Sequence, residues 1–387
     1  MPDPKKFIPY GRHFIDSDDI DAVVDVLENH FLTQGAKVPE FERALCDYTN
    51  ARFATAVNSA TSGLHVACLA LGVTKGDLVW TVPNSFVASA NCAVYCGAEI
   101  DFVDIDASTR NISISQLEEK LAKAKTKGRL PKVLIPVHFS GASCDMQKIQ
   151  HLANEYGFRV IEDAAHGLGG SYLKSKIGSC EHSDITVLSF HPVKSMTTAE
   201  GGAVLTNCPA LNKQILLYAK HGVTRDPDLM QSEADGPWYY QQVTLGYNYR
   251  LSDLHSALGI SQLKKLDGFV VKRRELVARY NTELKHLPLS LPLSEELHCS
   301  AWHLYMVELQ EHDRKAVYEK LHAKGIGVNV HYIPIHLQPF YQNMGFRKGD
   351  FPNSEKFYHN ALTLPLFPSM TADDQHRVIQ ALNEVLA

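Results

Sequence analysis

The stretch Ile185-Thr-Val-Leu-Ser-Phe-His-Pro-Val-Lys194, followed by Ser195-Met-Thr-Thr-Ala-Glu-Gly-Gly202, contains the features that decide the fold. It begins with a short apolar run, which is typical of a buried strand. A lysine follows in a segment with few charges, and a second apolar run starts after the glycine pair. Most lysines are solvated, whereas a lysine between two core strands needs a partner or a covalent role. Lys194 is therefore a candidate catalytic residue, and Ser189 a candidate phosphate ligand.

Similar apolar runs recur through the first two-thirds of the chain and alternate with helical patterns such as Ser115–Ala124 and Met146–Tyr156. Runs without strict polar alternation, separated by helices, predict a mainly parallel sheet covered by helices on both faces. The loops after the carboxyl ends of such strands meet at one edge, where α/β proteins bind ligands. The predicted strands are Ala54–Val57, Val79–Val82, Asp101–Ile105, Lys132–Val137, Arg159–Glu162, Ile185–Phe190 and Ala203–Thr206.

The sequence pattern changes after about residue 250. A long helical pattern runs from Ser252 to Leu287, and Gly259 and Gly268 are positions where the helix could break. We therefore predict a large α/β domain over residues 1–250 and a smaller α+β domain over residues 251–387. The elements predicted after the proline-rich segment Leu287–Leu293 are strands at Trp302–Leu309 and Gly327–Tyr332 and helices at Arg314–Lys324 and Thr371–Leu386.

Composition and charge argue against several classes of protein. The chain has 387 residues, 45% of them apolar, and a net charge of -5 with acidic and basic residues interspersed. No basic run indicates nucleic-acid binding, and no apolar run is long enough to span a membrane. Met1–Lys6 lead into no apolar signal core, and the eight cysteines form no zinc-type pattern. We therefore expect a cytoplasmic protein with free thiols, no metal site, no membrane segment and no nucleic-acid partner.

Three further segments carry candidate functional residues after predicted strands. Val160–His166 puts Asp163 at the end of a strand, as either a turn or cap carboxylate or the partner of a cationic cofactor nitrogen. Ser59-Ala-Thr-Ser62 begins an apolar helix, as either an ordinary cap or a phosphate site. Phe86 begins a helix after another strand, as either a core aromatic or a ring stacked on a flat cofactor. The glycine cluster at 167–170 lacks dinucleotide-loop spacing, so a nicotinamide dehydrogenase is disfavoured.

Together these segments resemble the sugar-nucleotide aminotransferases of the DegT family, which have the fold-type I architecture of enzymes that use pyridoxal 5'-phosphate (PLP). The resemblance covers nearly the whole chain, and its specificity comes from the combination of motifs. The matching motifs are Phe31-Leu-Thr-Gln-Gly35, Ser59-Ala-Thr-Ser62, Glu162-Asp-Ala-Ala-His166, Ser189-Phe-His-Pro-Val-Lys194 with Glu200-Gly-Gly202, Gly246-Tyr-Asn-Tyr-Arg-Leu-Ser-Asp253, Trp302-His-Leu-Tyr305 and His331-Tyr-Ile-Pro334.

The resemblance implies a role toward the cofactor ring for four residues. Lys194 matches the lysine that binds PLP covalently. Asp163 matches the carboxylate that pairs with the pyridine nitrogen, and Phe86 matches the aromatic stacked on the ring. His166 lies where the family often places a group close to the phenolic oxygen of the cofactor.

The resemblance also implies a phosphate site that two subunits share. Thr61, Ser62 and Ser189 match residues that bind the cofactor phosphate. Asn248 matches a residue that reaches this phosphate from the neighbouring subunit. The family pattern therefore implies a homodimer with shared active sites.

Within the family, the chain is most similar to the branch that makes UDP-4-amino-4,6-dideoxy-N-acetyl-L-altrosamine for pseudaminic acid synthesis. Ile8-Pro-Tyr-Gly-Arg12, Lys37-Val-Pro-Glu-Phe-Glu42 and the motifs around Phe31 and Lys194 carry this similarity. It implies L-glutamate as amino donor and UDP-2-acetamido-2,6-dideoxy-β-L-arabino-hexos-4-ulose as the acceptor, aminated at C4.

Three alternatives stand beside this interpretation. Gly63 and Ser195-Met196 depart from the pattern of the branch, so another UDP- or dTDP-linked 4-keto-6-deoxy sugar is the alternative acceptor. A sugar dehydratase of this family has histidine in place of the lysine, and a non-catalytic relative would lack Lys194 or Asp163. Because both residues are present, a sugar dehydratase and a non-catalytic relative are disfavoured.

Overall fold

The computed structural model describes residues 7–293 and 299–386, so Met1–Lys6 lie outside the described residues. The strands, in chain order, are β1 (Phe53–Val57), β2 (Leu78–Thr81), β3 (Glu99–Phe102), β4 (Val133–Ile135), β5 (Arg159–Asp163), β6 (Ser171–Tyr172), β7 (Ser175–Lys176), β8 (Ile185–Ser189), β9 (Gly202–Thr206), β10 (Val223–Thr224), β11 (Gln241–Gln242), β12 (Leu289–Ser290), β13 (Tyr305–Leu309) and β14 (Ala361–Leu364).

Helices cover the sheets and connect their strands. They are α1 (Ser17–Asn29), α2 (Lys37–Thr49), α3 (Ala60–Ala70), α4 (Ala88–Tyr95), α5 (Ile114–Thr126), α6 (Met146–Tyr156), α7 (Pro209–Ala219), α8 (Asp253–Glu283), α9 (Arg314–Ala323), α10 (Pro339–Gln342), α11 (Pro352–Asn360) and α12 (Ala372–Leu386). Within the described residues, no helix is long and apolar enough to cross a membrane.

The main sheet has the strand order β1-β9-β8-β5-β4-β2-β3. Strand β9 runs antiparallel to both of its neighbours, and the other pairs in this sheet are parallel. The mainly parallel sheet is therefore confirmed, and its strands lie within a few residues of the predicted runs. Because six strands point the same way, their carboxyl ends meet at one edge of the sheet.

Helix α6 shows why local patterns predicted these elements well. The side chain of Asp145 caps the helix by accepting the N–H of Lys148 at 3.4 Å, and Gly157 ends it with a φ of 77°. The apolar side chains of Met146, Ile149 and Leu152 recur at helical spacing and are buried. The sequence therefore encodes both ends and the buried face of α6.

The long helix α8 is continuous, so the expectation that glycines interrupt it was wrong. A Cβ atom at Gly259 would lie 2.7 Å from Cζ of Phe41, which belongs to α2. Glycine at this position therefore permits close packing between α2 and α8. At Gly268 a Cβ would meet no atom within 4 Å. The glycine there lowers the stability of the helix only modestly.

The carboxyl-terminal part forms a second sheet in which β13 lies between β12 and β14. The predicted strand at Gly327–Tyr332 was wrong, because this segment makes only an isolated bridge between Asn329 and Thr363. The predicted strand at Trp302–Leu309 begins only at Tyr305, since Trp302 has a φ of 48°. Both segments leave the sheet where their side chains enter a cavity described below.

The amino-terminal segment crosses to the second sheet before it reaches α1. Ile8 donates its N–H to the carbonyl of Gly325 at 2.9 Å and accepts the N–H of Gly327 at 2.7 Å. Ile8 is also buried in the hydrophobic core that contains β13 and α12. The amino-terminal segment therefore contacts the later part of the chain. The division into domains at residues 1–250 and 251–387 stays a prediction.

Candidate active site

A cavity of about 450 Å³ lies at the edge where the carboxyl ends of β1, β5 and β8 meet. Segments far apart in the sequence therefore contribute to one site. The predicted site residues that line the cavity are Thr61, Phe86, Asp163, His166, Ser189 and Lys194.

Lys194 follows β8 and is half-buried at the cavity wall. Its backbone N–H donates to the carbonyl of His191 at 2.9 Å, which fixes the turn that carries it. Burial lowers the pKa of Lys194 to about 8, while the negative charge of Asp163 acts in the opposite direction. No carboxylate among the described residues forms an ion pair with this amine, so it is available for reaction.

Asp163 is the last residue of β5 and is 4% exposed. One carboxylate oxygen accepts the hydroxyl of Ser89 at 2.6 Å, and the other accepts the N–H of Ala165 at 3.1 Å. The hydrogen bond from Ala165 is typical of a carboxylate that stabilises a turn. The Asp163 side chain, however, also lines the cavity. A buried carboxylate without a paired cation suits a positively charged ligand group.

The first turn of α3 has the backbone groups that an anion could bind. The side chain of Ser59 caps the helix by accepting the N–H of Ser62 at 3.1 Å. The N–H groups of Ala60 and Thr61 belong to the turn that lacks acceptors within the helix. A Cβ at Gly202 would lie 2.6 Å from the nitrogen of Ala60, so glycine lets this turn lie against β9.

Phe86 lies at the cavity with 58% of its surface exposed, which is unusual for a large aromatic side chain. Its ring centroid is 6.3 Å from that of Tyr332. The expectation that Phe86 begins a helix was wrong by two residues, because α4 starts at Ala88. An exposed ring beside a cavity can stack on a flat ligand.

Ser62 and Asn248 do not line this cavity. The hydroxyl of Ser62 contacts Ser59 at 2.6 Å and also bonds to Asn58. Asn248 is exposed, and its carbonyl lies 3.5 Å from the side-chain nitrogen of Asn58. The phosphate role of Ser62 and the role of Asn248 in a neighbouring subunit stay predictions.

Two histidines and a tyrosine that received no individual role from the sequence, His303, His331 and Tyr332, complete the cavity wall beside His166. The imidazole rings of His166 and His303 are 4.4 Å apart, and Nε2 of His166 lies 3.1 Å from the hydroxyl of Tyr332. Nδ1 of His331 lies 2.8 Å from the hydroxyl of Thr363. The only sequence signal for them was their presence in two family motifs, Trp302–Tyr305 and His331–Pro334.

The cavity keeps these histidines neutral. Burial lowers the pKa of His166 and His303 well below the ordinary value, and nearby positive groups including Lys194 lower it further. Burial also lowers the pKa of His331 to about 3. Nδ1 of His166 and Nδ1 of His303 are buried and make no hydrogen bond with the described residues. Two neutral imidazoles therefore retain unused hydrogen-bonding capacity at the site.

These residues fit PLP. The unpaired amine of Lys194 can bind an aldehyde, and the carboxylate of Asp163 can hold a proton on a ring nitrogen. The first turn of α3 and the hydroxyl of Ser189 can bind a phosphate. Phe86 offers an aromatic face of the size such a ring needs.

Comparison with known proteins agrees with this chemistry. Residues 13–383 match the model of the DegT/DnrJ/EryC1/StrS aminotransferase family. The chain belongs to this family of sugar aminotransferases. The aminotransferase has the fold-type I α/β architecture and uses PLP as its cofactor. Among the described residues, no cluster of side chains could hold a metal ion.

Individual relatives of the aminotransferase cover nearly its whole length. It is 39% identical to a UDP-4-amino-4,6-dideoxy-N-acetyl-β-L-altrosamine transaminase of Campylobacter jejuni, over 98% of this chain and 97% of that protein. Helicobacter pylori PseC, an aminotransferase involved in the biosynthesis of pseudoaminic acid, superposes with a TM-score of 0.90 at 30% identity, covering 98% and 99% of the two chains. The PLP form of a putative sugar aminotransferase of Streptococcus pneumoniae gives 0.87 at 28% identity, covering 98% and 100%.

Proposed function

We propose that the aminotransferase moves the amino group of L-glutamate to C4 of UDP-2-acetamido-2,6-dideoxy-β-L-arabino-hexos-4-ulose, a step of pseudaminic acid biosynthesis. The observation that carries the chemistry is that the unpaired amine of Lys194 and the buried carboxylate of Asp163 line one cavity. The similarity to the altrosamine transaminase supports the choice of sugar. Another UDP- or dTDP-linked 4-keto-6-deoxy sugar is the alternative acceptor.

The residues of the cavity have different roles in amino transfer. PLP, when bound, supplies an electron sink for the carbanion that forms at Cα of the donor. The amine of Lys194 takes the proton from Cα of glutamate and later delivers a proton to C4 of the sugar. A pKa of about 8 suits both directions, because the amine can accept and release a proton near neutral pH. Asp163 keeps the ring nitrogen protonated throughout.

The neutral histidines keep the cavity free of additional positive charge. A protonated imidazole close to Lys194 would hold the pKa of this amine lower still. His166 and His303 instead offer uncharged donors and acceptors beside it. We assign His166 to the phenolic oxygen of the cofactor, and this assignment rests on the family pattern together with its place on the cavity wall.

We further infer a homodimer in which Asn248 binds the cofactor phosphate of the neighbouring subunit. Phe31, Trp238 and Leu245 are 78%, 69% and 74% exposed, which is typical of an interface. The loops that carry Phe31 and Asn248 touch, because Arg250 donates to the side chain of Gln34 at 3.0 Å.

The free thiols of the cysteines agree with a location in the cytoplasm. No disulfide joins them in the part of the chain that the structure describes. Persistent disulfides are rare in reducing compartments and common in oxidising ones. We therefore propose that the enzyme works in the cytoplasm.

The acceptor is tested by incubating the purified holoenzyme with glutamate and a panel of UDP- and dTDP-linked 4-keto sugars. Mass spectrometry of the products and formation of 2-oxoglutarate report amino transfer. We expect the L-arabino UDP sugar to give the highest kcat/KM. A clear preference for the D-xylo isomer or for a dTDP sugar would assign the enzyme to a sister branch. Failure to form 2-oxoglutarate with any acceptor would refute amino transfer from glutamate.

A further inference from the structure

A buried histidine and a buried glutamate form a pair next to Asp163, and the proposed amino transfer gives neither of them a role. His138 lies in the segment after β4, and Glu162 precedes Asp163 in β5. Nε2 of His138 lies 2.6 Å from Oε2 of Glu162, and both side chains are buried. Because buried pairs of this kind often contribute little net stability, its place next to the catalytic carboxylate points to a further role.

The hydrogen bonds around the pair fix its arrangement. Nδ1 of His138 accepts the N–H of Cys144 at 3.2 Å, which leaves Nε2 to donate to Glu162. The other oxygen of Glu162 accepts the hydroxyl of Thr186 at 3.1 Å and also the hydroxyl of Ser183. Burial raises the pKa of this carboxyl, but its hydrogen-bond donors outweigh burial and hold the pKa below its ordinary value. Glu162 is therefore an ionised acceptor with one defined set of partners.

The regular pairing of β4 with β5 ends three residues before Asp163. Its last pair is Leu134 with Val160, and an isolated bridge between Val137 and Asp163 lies beyond it. On the other side, β5 pairs with β8 as far as Asp163. The β4 side of the catalytic residue is therefore held by separate contacts instead of a continuous ladder.

His138 supplies two of these contacts. Its backbone N–H donates to the carbonyl of Asp163 at 3.1 Å, and its side chain binds the preceding residue, Glu162. The N–H of Asp163 in turn donates to the carbonyl of Pro136 at 2.9 Å. Successive side chains of a strand point to opposite faces of the sheet. A bond that holds Glu162 on one face therefore also sets the direction of Asp163 on the other.

We propose that His138, through its bond to Glu162, is a positioning residue that fixes the carboxylate of Asp163 toward the cofactor. His138 acts from behind the site, since it is not part of the lining of the catalytic cavity. A displacement of about 1 Å in a catalytic group can lower a rate about a hundredfold, so a remote side chain that fixes the strand affects the chemistry. This inference rests on the proposed role of Asp163 in amino transfer.

Two substitutions of His138 separate the bond to Glu162 from the rest of the side chain. His138→Asn keeps an acceptor near the position of Nδ1 for the N–H of Cys144 but is too short to reach Glu162. His138→Gln has an amide nitrogen near the position of Nε2 and can still donate to Glu162. Glu308→Gln is the control for stability, because it weakens a half-buried ion pair with Arg110, 3.1 Å away, outside the catalytic cavity. If His138→Asn does not fold, the milder Glu162→Gln takes its place in each comparison.

We expect His138→Asn to lower kcat about ten- to a hundredfold, with little change in the KM for glutamate. His138→Gln should restore most of the rate, and Glu308→Gln should turn over as the wild type does. In the Asp163→Asn background, His138→Asn should lower kcat by no more than about twofold further, because His138 acts through Asp163.

Hydrogen exchange of the full-length apoprotein gives a second readout, which depends on neither cofactor nor turnover. The N–H of Ala165 donates to Oδ1 of Asp163 at 3.1 Å, so its exchange rate reports the position of this carboxylate. Mass spectrometry of the peptide around Ala165 should show faster exchange in His138→Asn. The same peptide should exchange at the wild-type rate in His138→Gln and in Glu308→Gln.

Two outcomes would overturn the proposal and leave the proposed amino transfer intact. A wild-type kcat in His138→Asn, or exchange at Ala165 that rises equally in Glu308→Gln, would show that the pair only stabilises the fold. A fall in kcat that is as large in the Asp163→Asn background as in the wild type would show that His138 acts independently of Asp163. Near-normal turnover in Asp163→Asn alone would instead refute the role of Asp163 itself, and this failure would be visible without any change at His138.

Discussion

At the scale of single residues, the protein sets the acid–base chemistry of Lys194 by where it places the side chain. Burial lowers its pKa to about 8, and the charge of Asp163 limits this fall. An ordinary lysine is almost wholly protonated at neutral pH and is a poor nucleophile. At this site an appreciable fraction is the free amine, which is the form that attacks a carbonyl.

The first prediction concerns the pH dependence of this amine. The rate at which the apoprotein binds PLP covalently should rise with pH through about 8. In Asp163→Asn the midpoint should move to lower pH, because the variant loses the negative charge that favours the ammonium form. Stopped-flow absorbance measures the rate, and the exposed Asp47→Asn serves as control. A wild-type midpoint near 10.5 would show that Lys194 is a solvated lysine.

The second prediction identifies the lysine directly. Borohydride reduction of the holoenzyme should fix the cofactor on the peptide that contains Lys194, because this amine lies in the cavity without an ion pair. Peptide mass spectrometry reads out the position. Lys194→Ala should retain no fixed cofactor, whereas the exposed Lys148→Ala should behave as the wild type. Fixation on a different lysine would contradict the assignment.

The third prediction separates a catalytic from a structural role of Asp163. Asp163→Asn keeps the shape and can keep the contacts with Ser89 and Ala165, yet it loses the charge. Turnover should fall by about 10²-fold or more, as when other preorganised electrostatic groups are removed. The melting temperature should change little. Near-normal turnover would mean that Asp163 only stabilises the turn.

At the scale of elements, the site depends on how closely α3 approaches β9. Any side chain at Gly202 would meet backbone on two sides, at 2.6 Å from the nitrogen of Ala60 and 2.8 Å from the carbonyl oxygen of Leu188. Backbone atoms in a packed sheet and helix cannot rotate away as a side chain can. Gly202 therefore determines where the first turn of α3, the proposed phosphate site, lies.

The fourth prediction compares two glycines. Gly202→Ala should destabilise the protein by about 1–3 kcal/mol and weaken PLP binding, because the added methyl displaces the first turn of α3. Gly268→Ala on α8 should instead stabilise it by about 0.5–1 kcal/mol, since its methyl meets nothing within 4 Å. Urea unfolding of both apoproteins measures the free energies. Equal effects of the two substitutions would contradict the packing argument.

At the scale of the whole molecule, one chain supplies few charges for the proposed dicarboxylate donor, L-glutamate. Lys194 is the one lysine or arginine that lines the catalytic cavity in the described part, and the histidines there are neutral. Arg250 follows Asn248 by two residues on the exposed loop. A second subunit that contributes this loop would add both a phosphate ligand and a cation.

The fifth prediction tests the shared site by complementation. Inactive Lys194→Ala is mixed with an Asn248→Ala variant first shown to be strongly impaired, under conditions of verified subunit exchange. In a mixed dimer one site receives both defects and the other receives none. Random pairing makes about half of the dimers mixed, so about a quarter of wild-type activity should return. A monomer in solution, or no recovery, would refute the shared site.

The local pattern of the sequence predicted the main sheet, helix α6 and the position of most site residues. Strand runs and caps depend on neighbours within a few positions, so they are visible in the sequence itself. Parallel strands then force their carboxyl ends to one edge, which places Asp163 and Ser189 together. The motifs around them indicate PLP without any knowledge of tertiary contacts.

Only the tertiary structure decided the far wall of the cavity. Tyr10 comes from the amino-terminal segment, and His303, His331 and Tyr332 come from the later part of the chain, with no local pattern that announces a site. The same packing draws Gly327–Tyr332 out of the predicted strand and makes Gly259 a contact point for Phe41. Such contacts join residues far apart in the sequence. They depend on how complete elements pack against one another, which is information that no short stretch of sequence contains.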